Sequence, residues 1–282
     1  SSCSELITWT GPSVVKQANH CFRWSGTLTS LQAKASKELL LSVQRNQRHL
    51  IYAVCGAGKT ELLFPSIFDA LQRGLRVCVA TPRTDVVLEL APRFQQVFPK
   101  TIMHALYGGS PEQSNFGQLI LATTHQLLRF EEAFDVVFVD EADAFPYTVD
   151  KSLQFAVQKA KNKHAVVHTI TATPSEELLQ QADNISLISQ RFHGFPLPVP
   201  RFVGLWNYKK HMYKDKLPQK LANWTLQRLK SGQPFLIFFP TIDLMERALP
   251  LFQQIHVDIL AVHAEDSERK EKVLKLRRNQ VC

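Results

Sequence analysis

The sequence has no long apolar segment, no paired-cysteine motif and no low-complexity tract. Its apolar runs are short pieces such as residues 136–139, far below the roughly 20 residues that a membrane span needs. No secretory signal is visible at the start. The five cysteines are scattered and none has C-x-x-C spacing, so neither a zinc site nor a disulfide scaffold is expected in this chain. These absences predict a protein of a reducing, cytoplasmic setting.

Basic residues outnumber acidic ones, with 33 Lys and Arg against 25 Asp and Glu, which gives a net charge of +8. The excess suits a polyanionic partner, with nucleic acid as the leading candidate. The basic residues are dispersed rather than grouped in blocks, so a merely basic soluble protein remains an equal alternative.

Short β-branched runs alternate with helical patterns along the 282 residues. This alternation predicts an α/β fold with a parallel sheet and helices on both of its faces. The predicted strands are residues 50–54, 76–80, 101–106, 119–122, 136–139, 166–170, 235–239 and 258–262. The predicted helices are residues 60–73, 85–97, 217–230, 242–254 and 267–278, with Thr241 as an N-cap.

A proline-rich stretch interrupts this alternation at residues 190–200. Pro196, Pro198 and Pro200 fit neither a helix interior nor a central strand. We therefore predict an N-terminal arm at residues 1–29, a first α/β domain at 30–195, and a connection with a partial second domain at 196–282.

A glycine-rich loop lies between the first predicted strand and the first predicted helix, at Ala53–Thr60. Its glycines allow backbone N–H groups to approach phosphate oxygens, and the positive end of the helix opening at Lys59 adds to the attraction. Lys59 is expected to reach the β and γ phosphates, and Thr60 to bind magnesium. The expected nucleotide-binding residues are Gln32, Gly56, Ala57, Gly58, Lys59 and Thr60.

Two adjacent carboxylates, Asp140 and Glu141, follow another predicted strand. Ligands bind at the carboxyl ends of parallel strands. Asp140 is expected to hold magnesium, and Glu141 to deprotonate the attacking water, so Lys59, Asp140 and Glu141 are the candidate catalytic residues. Asp143 either relays to Thr171 or is simply solvated. Thr171 and Thr173 close a strand, and their hydroxyls are expected to hydrogen-bond the acidic motif and couple it to the γ phosphate.

Other candidates have both a functional and a plain structural interpretation. Gln32 precedes the loop by about one helix, and its amide suits the adenine edge, but a helix Gln is more often solvated. Small hydroxyls and a guanidinium at strand ends suit contacts to nucleic-acid phosphates, although Thr also favours N-caps. The nucleic-acid candidates are Thr81, Pro82, Arg83, Thr123, Thr124, Thr241 and His263, and capping is favoured for Thr241.

These motifs resemble superfamily 2 helicase motifs: residues 53–60, 81–83, 123–127, 140–143 and 171–173 correspond to motifs I, Ia, Ib, II and III. Longer phrases at residues 80–90, 123–130, 140–147 and 190–194 resemble the ComFA family of late competence ATPases, which is related to the helicase PriA. The similarity extends from about Trp24 to the end of the chain.

The resemblance implies a RecA-like ATPase domain followed by an incomplete second one, with ATP and Mg²⁺ as cofactors. It implies a motor that draws single-stranded DNA through the uptake channel during natural competence, on the cytoplasmic side and peripheral to the membrane. The implied partners are single-stranded DNA, the competence proteins ComFC and DprA, and the channel ComEC.

The chain departs from the family pattern at both ends. The family's four-cysteine zinc module has no counterpart in the residues before Trp24, and its motifs V and VI would be expected beyond Cys282, so the chain resembles a fragment or a natural truncation. Motif VI supplies an arginine to the γ phosphate, so a truncated chain is expected to hydrolyse ATP slowly. Two alternatives remain: an RNA helicase of the DEAD-box type, and a non-hydrolytic, ATP-gated assembly module.

Overall fold

The computed structural model describes residues 7–8, 20–111, 117–195, 199–263, 266, 268, 271, 272 and 275. The chain divides into two units, Ser1–Pro198 and Val199–Cys282. Most of the predicted helix at 267–278 lies outside the described residues. The boundaries predicted for separately folding domains remain a prediction.

The first unit is built around parallel strands. They are β1 (Ile7–Thr8), β2 (His49–Ala53), β3 (Val77–Thr81), β4 (Met103–Leu106), β5 (Leu119–Thr123), β6 (Phe130–Glu131), β7 (Val136–Val139), β8 (Val167–Thr171) and β9 (Asn184–Ile188). Seven of them form a parallel sheet in the order β4-β5-β3-β7-β8-β2-β9. Strands β1 and β6 form a separate parallel pair. The prediction of a parallel α/β sheet is confirmed.

Helices connect these strands and extend into the second unit. The first unit has α1 (Ser30–Gln44), α2 (Phe64–Gln72), α3 (Thr84–Val97), α4 (Lys151–Ala160) and α5 (Glu176–Gln181), with 3₁₀ turns at Glu61–Leu63 and Thr124–Arg129. The described part of the second unit has α6 (Tyr208–Met212), α7 (Gln219–Lys230) and α8 (Ile242–Gln253). Helices α1, α4, α5 and α6 and strands β1, β6 and β9 were not among the predicted elements. No helix in the described part of the chain combines the length and apolar character of a membrane span.

The central strands are buried on both faces, and alternate residues enter two separate cores. Val77 and Val79 of β3 pack with residues of α1, α2 and α3, whereas Cys78 and Ala80 pack on the opposite face with residues of α4. Such double burial is typical of parallel strands covered by helices on both sides. It explains why these strands read as continuous apolar runs, without polar alternation.

The second unit corrects two strand predictions, because residues 235–239 and 258–262 form no strand. Phe235, Ile237 and Phe239 pack on a small core around α8, while Leu236 and Phe238 are 63 % and 88 % exposed. The segment therefore has the two-residue periodicity of a strand. A strand also needs a backbone partner, and the described residues of this unit provide none.

Candidate functional site

The glycine-rich loop follows β2 at one edge of the sheet and turns sharply at its two glycines. Gly56 and Gly58 have φ angles of +78° and +68°, in the left-handed region that side chains disfavour. The expected helix does not open at Lys59. A 3₁₀ turn begins at Glu61 and the α-helix only at Phe64, because Pro65 suits the first turn of a helix and sets the start of α2. The loop therefore has the predicted glycine geometry, but a later helix start.

Gln32 of α1 is buried behind this loop with 1 % exposure. Its amide nitrogen donates to the carbonyl oxygens of Ala57 at 2.7 Å and Gly58 at 3.1 Å, while its oxygen accepts from the Thr29 N–H at 2.8 Å. A Cβ atom on Gly58 would lie 2.5 Å from this amide nitrogen, so glycine is also needed for the approach. Gln32 thus braces the loop, and adenine recognition by this amide stays a prediction that would require these bonds to break.

The acidic motif begins directly after β7. Asp140 is 5 % exposed, and its Oδ1 accepts the Glu141 N–H at 2.9 Å. Burial raises the pKa of Asp140 to about 6, although the Glu141 N–H and the Lys59 ammonium both act to lower it. Because Lys59 influences Asp140 electrostatically, the structure brings the loop and the acidic motif together. Strands β7 and β2 are separated only by β8, so their carboxyl ends meet at one edge.

Glu141 adopts a left-handed backbone conformation, with φ of +54°, which is uncommon outside glycine. Its Oε2 is buried and has no hydrogen-bond partner among the described residues. The nearest cation is Arg83, whose Nη1 lies 3.9 Å from this oxygen. An acceptor with spare capacity next to a phosphate-binding loop is suited to take a proton from water.

The third carboxylate of the motif is not free in solvent. Asp143 Oδ2 accepts the Thr173 hydroxyl at 2.6 Å, and the Thr173 N–H donates to Thr171 Oγ1 at 3.1 Å. Burial alone would raise the pKa of Asp143, but the hydrogen bonds from Thr173 and Thr171 hold it below its ordinary value. The hydrogen bond expected between the threonines and the acidic motif is therefore present, and its coupling role stays a prediction.

The nucleic-acid candidates of the first unit differ in accessibility. Thr81, Pro82, Thr123 and Thr124 are buried, and the Oγ1 atoms of Thr81 and Thr124 have no hydrogen-bond partner among the described residues. Thr81 and Thr123 end β3 and β5, and Thr124 follows β5. Contact of these residues with nucleic acid stays a prediction. Arg83 is the exposed member, with half of its side chain accessible and an ion pair to Asp85.

The second unit holds the remaining two candidates. Thr241 is the N-cap of α8, and its Oγ1 accepts the Leu244 N–H at 3.3 Å, which confirms the capping interpretation. His263 is half-buried, and its Nδ1 has no hydrogen-bond partner among the described residues. Contact of either residue with nucleic acid stays a prediction.

Arg191 was not predicted as a site residue, although it lies within residues 190–194, one of the segments that resemble the ComFA family. It follows β9, and the next residue, Phe192, donates its N–H to the Gly56 carbonyl oxygen at 2.9 Å. A Cβ atom on Gly56 would be 3.2 Å from Arg191 Nε. No spacing signal links residue 191 to the loop, because only the pairing of β9 with β2 brings them together.

The donors available for magnesium fit a cation that also binds nucleotide. In the described part of the chain no three His, Cys, Asp or Glu side chains are grouped as a metal site. Mg²⁺ is commonly held by one or two carboxylates together with substrate phosphates. Asp140 is a buried carboxylate that a cation would keep ionised, and the Thr60 side chain makes no capping hydrogen bond. Thr60 and Asp140 therefore remain suitable ligands.

Comparison with known proteins identifies the family. Residues 25–176 match the family described as type III restriction enzyme, res subunit. The chain is 47 % identical over 262 residues to competence protein ComFA of Bacillus subtilis, covering 92 % of this chain and 57 % of that protein. The chain belongs to the ComFA family. ComFA of Streptococcus pneumoniae is 38 % identical over 82 % of this chain and 54 % of its own length.

Two more distant matches were also found. Replication restart protein PriA of Chlamydia pneumoniae is 23 % identical over 74 % of the chain and 31 % of its own length, which agrees with the predicted PriA relationship. The SWI2/SNF2 ATPase core of Sulfolobus solfataricus in complex with double-stranded DNA has a TM-score of 0.51 at 12 % identity. The alignment covers 94 % of this chain and 67 % of that one, and at this identity it shows a shared fold alone.

The chain spans a little over half the length of the two ComFA relatives. The restriction-subunit match includes Gln32, the phosphate loop, the acidic motif and Thr173, but it ends before Arg191. Arg191, Thr241 and His263 therefore lie outside the segment that this match covers.

Proposed function

We propose that this chain binds and hydrolyses ATP with Mg²⁺ as part of a motor that moves single-stranded DNA during competence. One observation carries the proposal: the adjacent strands β7, β8 and β2 bring the acidic motif, the threonine pair and the phosphate loop to one edge of the sheet. The names of the ComFA relatives support competence as the setting. ComFC, DprA and ComEC as partners, and a site at the membrane's inner face, stay predictions of the resemblance.

Each residue has a defined step in the proposed reaction. Loop N–H groups and Lys59 would hold the phosphates, and Thr60 and Asp140 would hold Mg²⁺, which would supply positive charge to the phosphate oxygens. Glu141 accepts a proton from the water that attacks the γ phosphorus, while the bond from that phosphorus to the bridging oxygen breaks and ADP leaves. Asp143 and Thr173 are joined by a hydrogen bond, and they would couple the change from triphosphate to diphosphate to nucleic-acid binding.

Nucleic-acid binding is proposed to begin at Arg83, the accessible cation beside Glu141. Contacts of Arg and Lys with phosphates make binding salt-sensitive and nearly independent of sequence. Because Arg83 Nη1 lies 3.9 Å from Glu141 Oε2, a strand held by Arg83 would lie next to the hydrolytic carboxylate. This proximity favours hydrolysis that depends on nucleic acid.

The first experiment measures ATP binding in the presence of Mg²⁺. Replacing Lys59 with alanine removes a charge-assisted phosphate contact and should weaken affinity at least about tenfold. Lys37→Ala is the matched control, because Lys37 is an exposed lysine on α1. Equal affinities for the wild type and Lys59→Ala, or no binding by the wild type, would show the proposal to be wrong.

The second experiment measures ATP hydrolysis with DNA and RNA oligonucleotides of the same length and base order. We expect single-stranded DNA to stimulate hydrolysis more than RNA, and Glu141→Gln to retain ATP binding but lose turnover. If RNA stimulates hydrolysis more strongly than DNA, the RNA-helicase hypothesis would be favoured over the DNA-motor hypothesis. If the wild type hydrolyses ATP no faster than Glu141→Gln, the result would instead favour the ATP-gated assembly module.

A further inference from the structure

The segment that follows β9 returns to the phosphate loop and is fixed to it by backbone hydrogen bonds. The Val54 N–H donates to the Ile188 carbonyl oxygen at 3.1 Å, and the Phe192 N–H donates to the Gly56 carbonyl oxygen at 2.9 Å. A turn closes where the Gly194 N–H donates to the Arg191 carbonyl oxygen at 2.9 Å. Arg191 is therefore held beside the loop by the backbone of its own segment.

The Arg191 guanidinium lies over the face of Gly56. A Cβ atom placed on Gly56 would be 3.2 Å from Nε, 3.6 Å from Nη2 and 3.8 Å from Cζ of Arg191. All three atoms belong to the planar charged group, so the group itself covers the loop. Glycine at position 56 thus serves both the positive φ angle and the approach of this cation.

Among the described residues, no hydrogen bond or ion pair involves the Arg191 side chain. The exposed arginines Arg48 and Arg83, by contrast, have carboxylate partners, Asp183 and Asp85. Arginine binds phosphate through parallel N–H donors in a fixed planar arrangement. A guanidinium without a protein anion, positioned over a phosphate-binding loop, has the chemistry to bind a phosphate group.

We propose that Arg191 is a nucleotide-binding residue whose guanidinium engages the phosphates of the bound nucleoside triphosphate. The inference rests on the proposed ATP binding and adds a phosphate ligand to it. This ligand comes from the segment that leads to the second unit, which begins at Val199. It supplements Lys59 from outside the loop and its following helix.

The test separates phosphate contact from base contact and from a purely structural role. Competition with labelled ATP measures the affinities of ATP and of inorganic tripolyphosphate, both with Mg²⁺. Arg191→Gln keeps side-chain length and polarity but removes the charge, and it should weaken both ligands about 10- to 150-fold. Arg191→Lys should recover part of the loss, because it restores the charge without the paired donors. Arg45→Gln is the matched control, an exposed arginine at the end of α1.

Each outcome has a distinct meaning. Weaker ATP binding with unchanged tripolyphosphate binding would assign Arg191 to the base and overturn the proposal. Equal nucleotide affinities for Arg191→Gln and Arg45→Gln would also overturn it. The same holds if Arg191→Lys binds ATP as weakly as Arg191→Gln and both variants have a lower unfolding temperature, because that would indicate a structural role. If Lys59→Ala binds ATP as tightly as the wild type, the proposed function itself fails. If Lys59→Ala weakens ATP binding as expected and Arg191→Gln does not, only the inference about Arg191 is overturned.

Discussion

Replacing Gln32 with methionine distinguishes a residue that braces the phosphate loop from one that reads the base. Methionine has a similar volume and shape but offers no amide donor or strong acceptor. The substitution therefore removes the bonds to Ala57, Gly58 and the Thr29 N–H without opening a large cavity. The two roles predict different losses.

The size of the effect follows from these three hydrogen bonds. Each contributes about 0.5–1.5 kcal/mol net, so Gln32→Met should lower the free energy of unfolding by about 1.5–4.5 kcal/mol. That is a large part of the roughly 5–15 kcal/mol that stabilises a typical domain. A loosened loop should also bind every nucleoside triphosphate less tightly, and by the same factor, because the loop contacts phosphates rather than bases.

Two assays check this expectation. Denaturant unfolding gives the loss of stability, with Gln44→Ala as the control, because Gln44 is an exposed glutamine at the end of the same helix. Competition binding compares ATP with CTP. A direct adenine contact would give a selective loss of ATP affinity of about 5- to 150-fold with CTP unchanged. That selective loss, together with unchanged stability, would refute the bracing role of Gln32.

Two further predictions concern buried charge in the first unit. Burial, with a smaller effect of nearby His49, lowers the pKa of His168 to about 3 from 6.5, so its contribution to stability is present above pH 6.5 and lost as pH falls toward 3. Between pH 7.5 and pH 5 the wild type should lose about 2 kcal/mol more than His168→Phe in urea unfolding, and parallel losses would contradict this. Asp135→Ala leaves buried Arg76 without its carboxylate and should cost about 3–5 kcal/mol. The control is Asp183→Ala, which removes the partner of exposed Arg48 and should lower the free energy of unfolding by under about 1 kcal/mol. Similar costs for the two substitutions would show that burial of the ion pair does not matter.

Local chemistry could be predicted from the sequence where it resides in consecutive residues. Gly56, Gly58 and Lys59 form one short loop, and Asp140 and Glu141 follow one apolar strand, so neighbouring residues were enough to assign them. The same local patterns predicted most strands of the sheet. Residues 235–239 show the limit of such patterns, because alternation predicts an extended segment but not the partner that makes it a strand.

Predictions of nucleic-acid and base contacts depend on which way a side chain faces, and they stay predictions. Thr81 and Thr124 follow the sequence pattern of phosphate-gripping residues, yet their hydroxyls are buried. Gln32 has the composition expected for base recognition, but its amide is already bonded to the loop. Orientation depends on packing against segments far away in the sequence, which no local pattern records.

Short segments were enough to specify a parallel α/β fold, a glycine-rich loop after a strand and an acidic motif at a strand end, because glycine conformation, apolar periodicity and adjacent carboxylates are local properties. The sheet order that brings β7, β8 and β2 together depends on contacts between distant segments, and so do the bracing of the loop by Gln32 and the position of Arg191 over Gly56. Parallel strands are joined by crossovers rather than by turns, so their neighbours are selected by the packing of the whole unit.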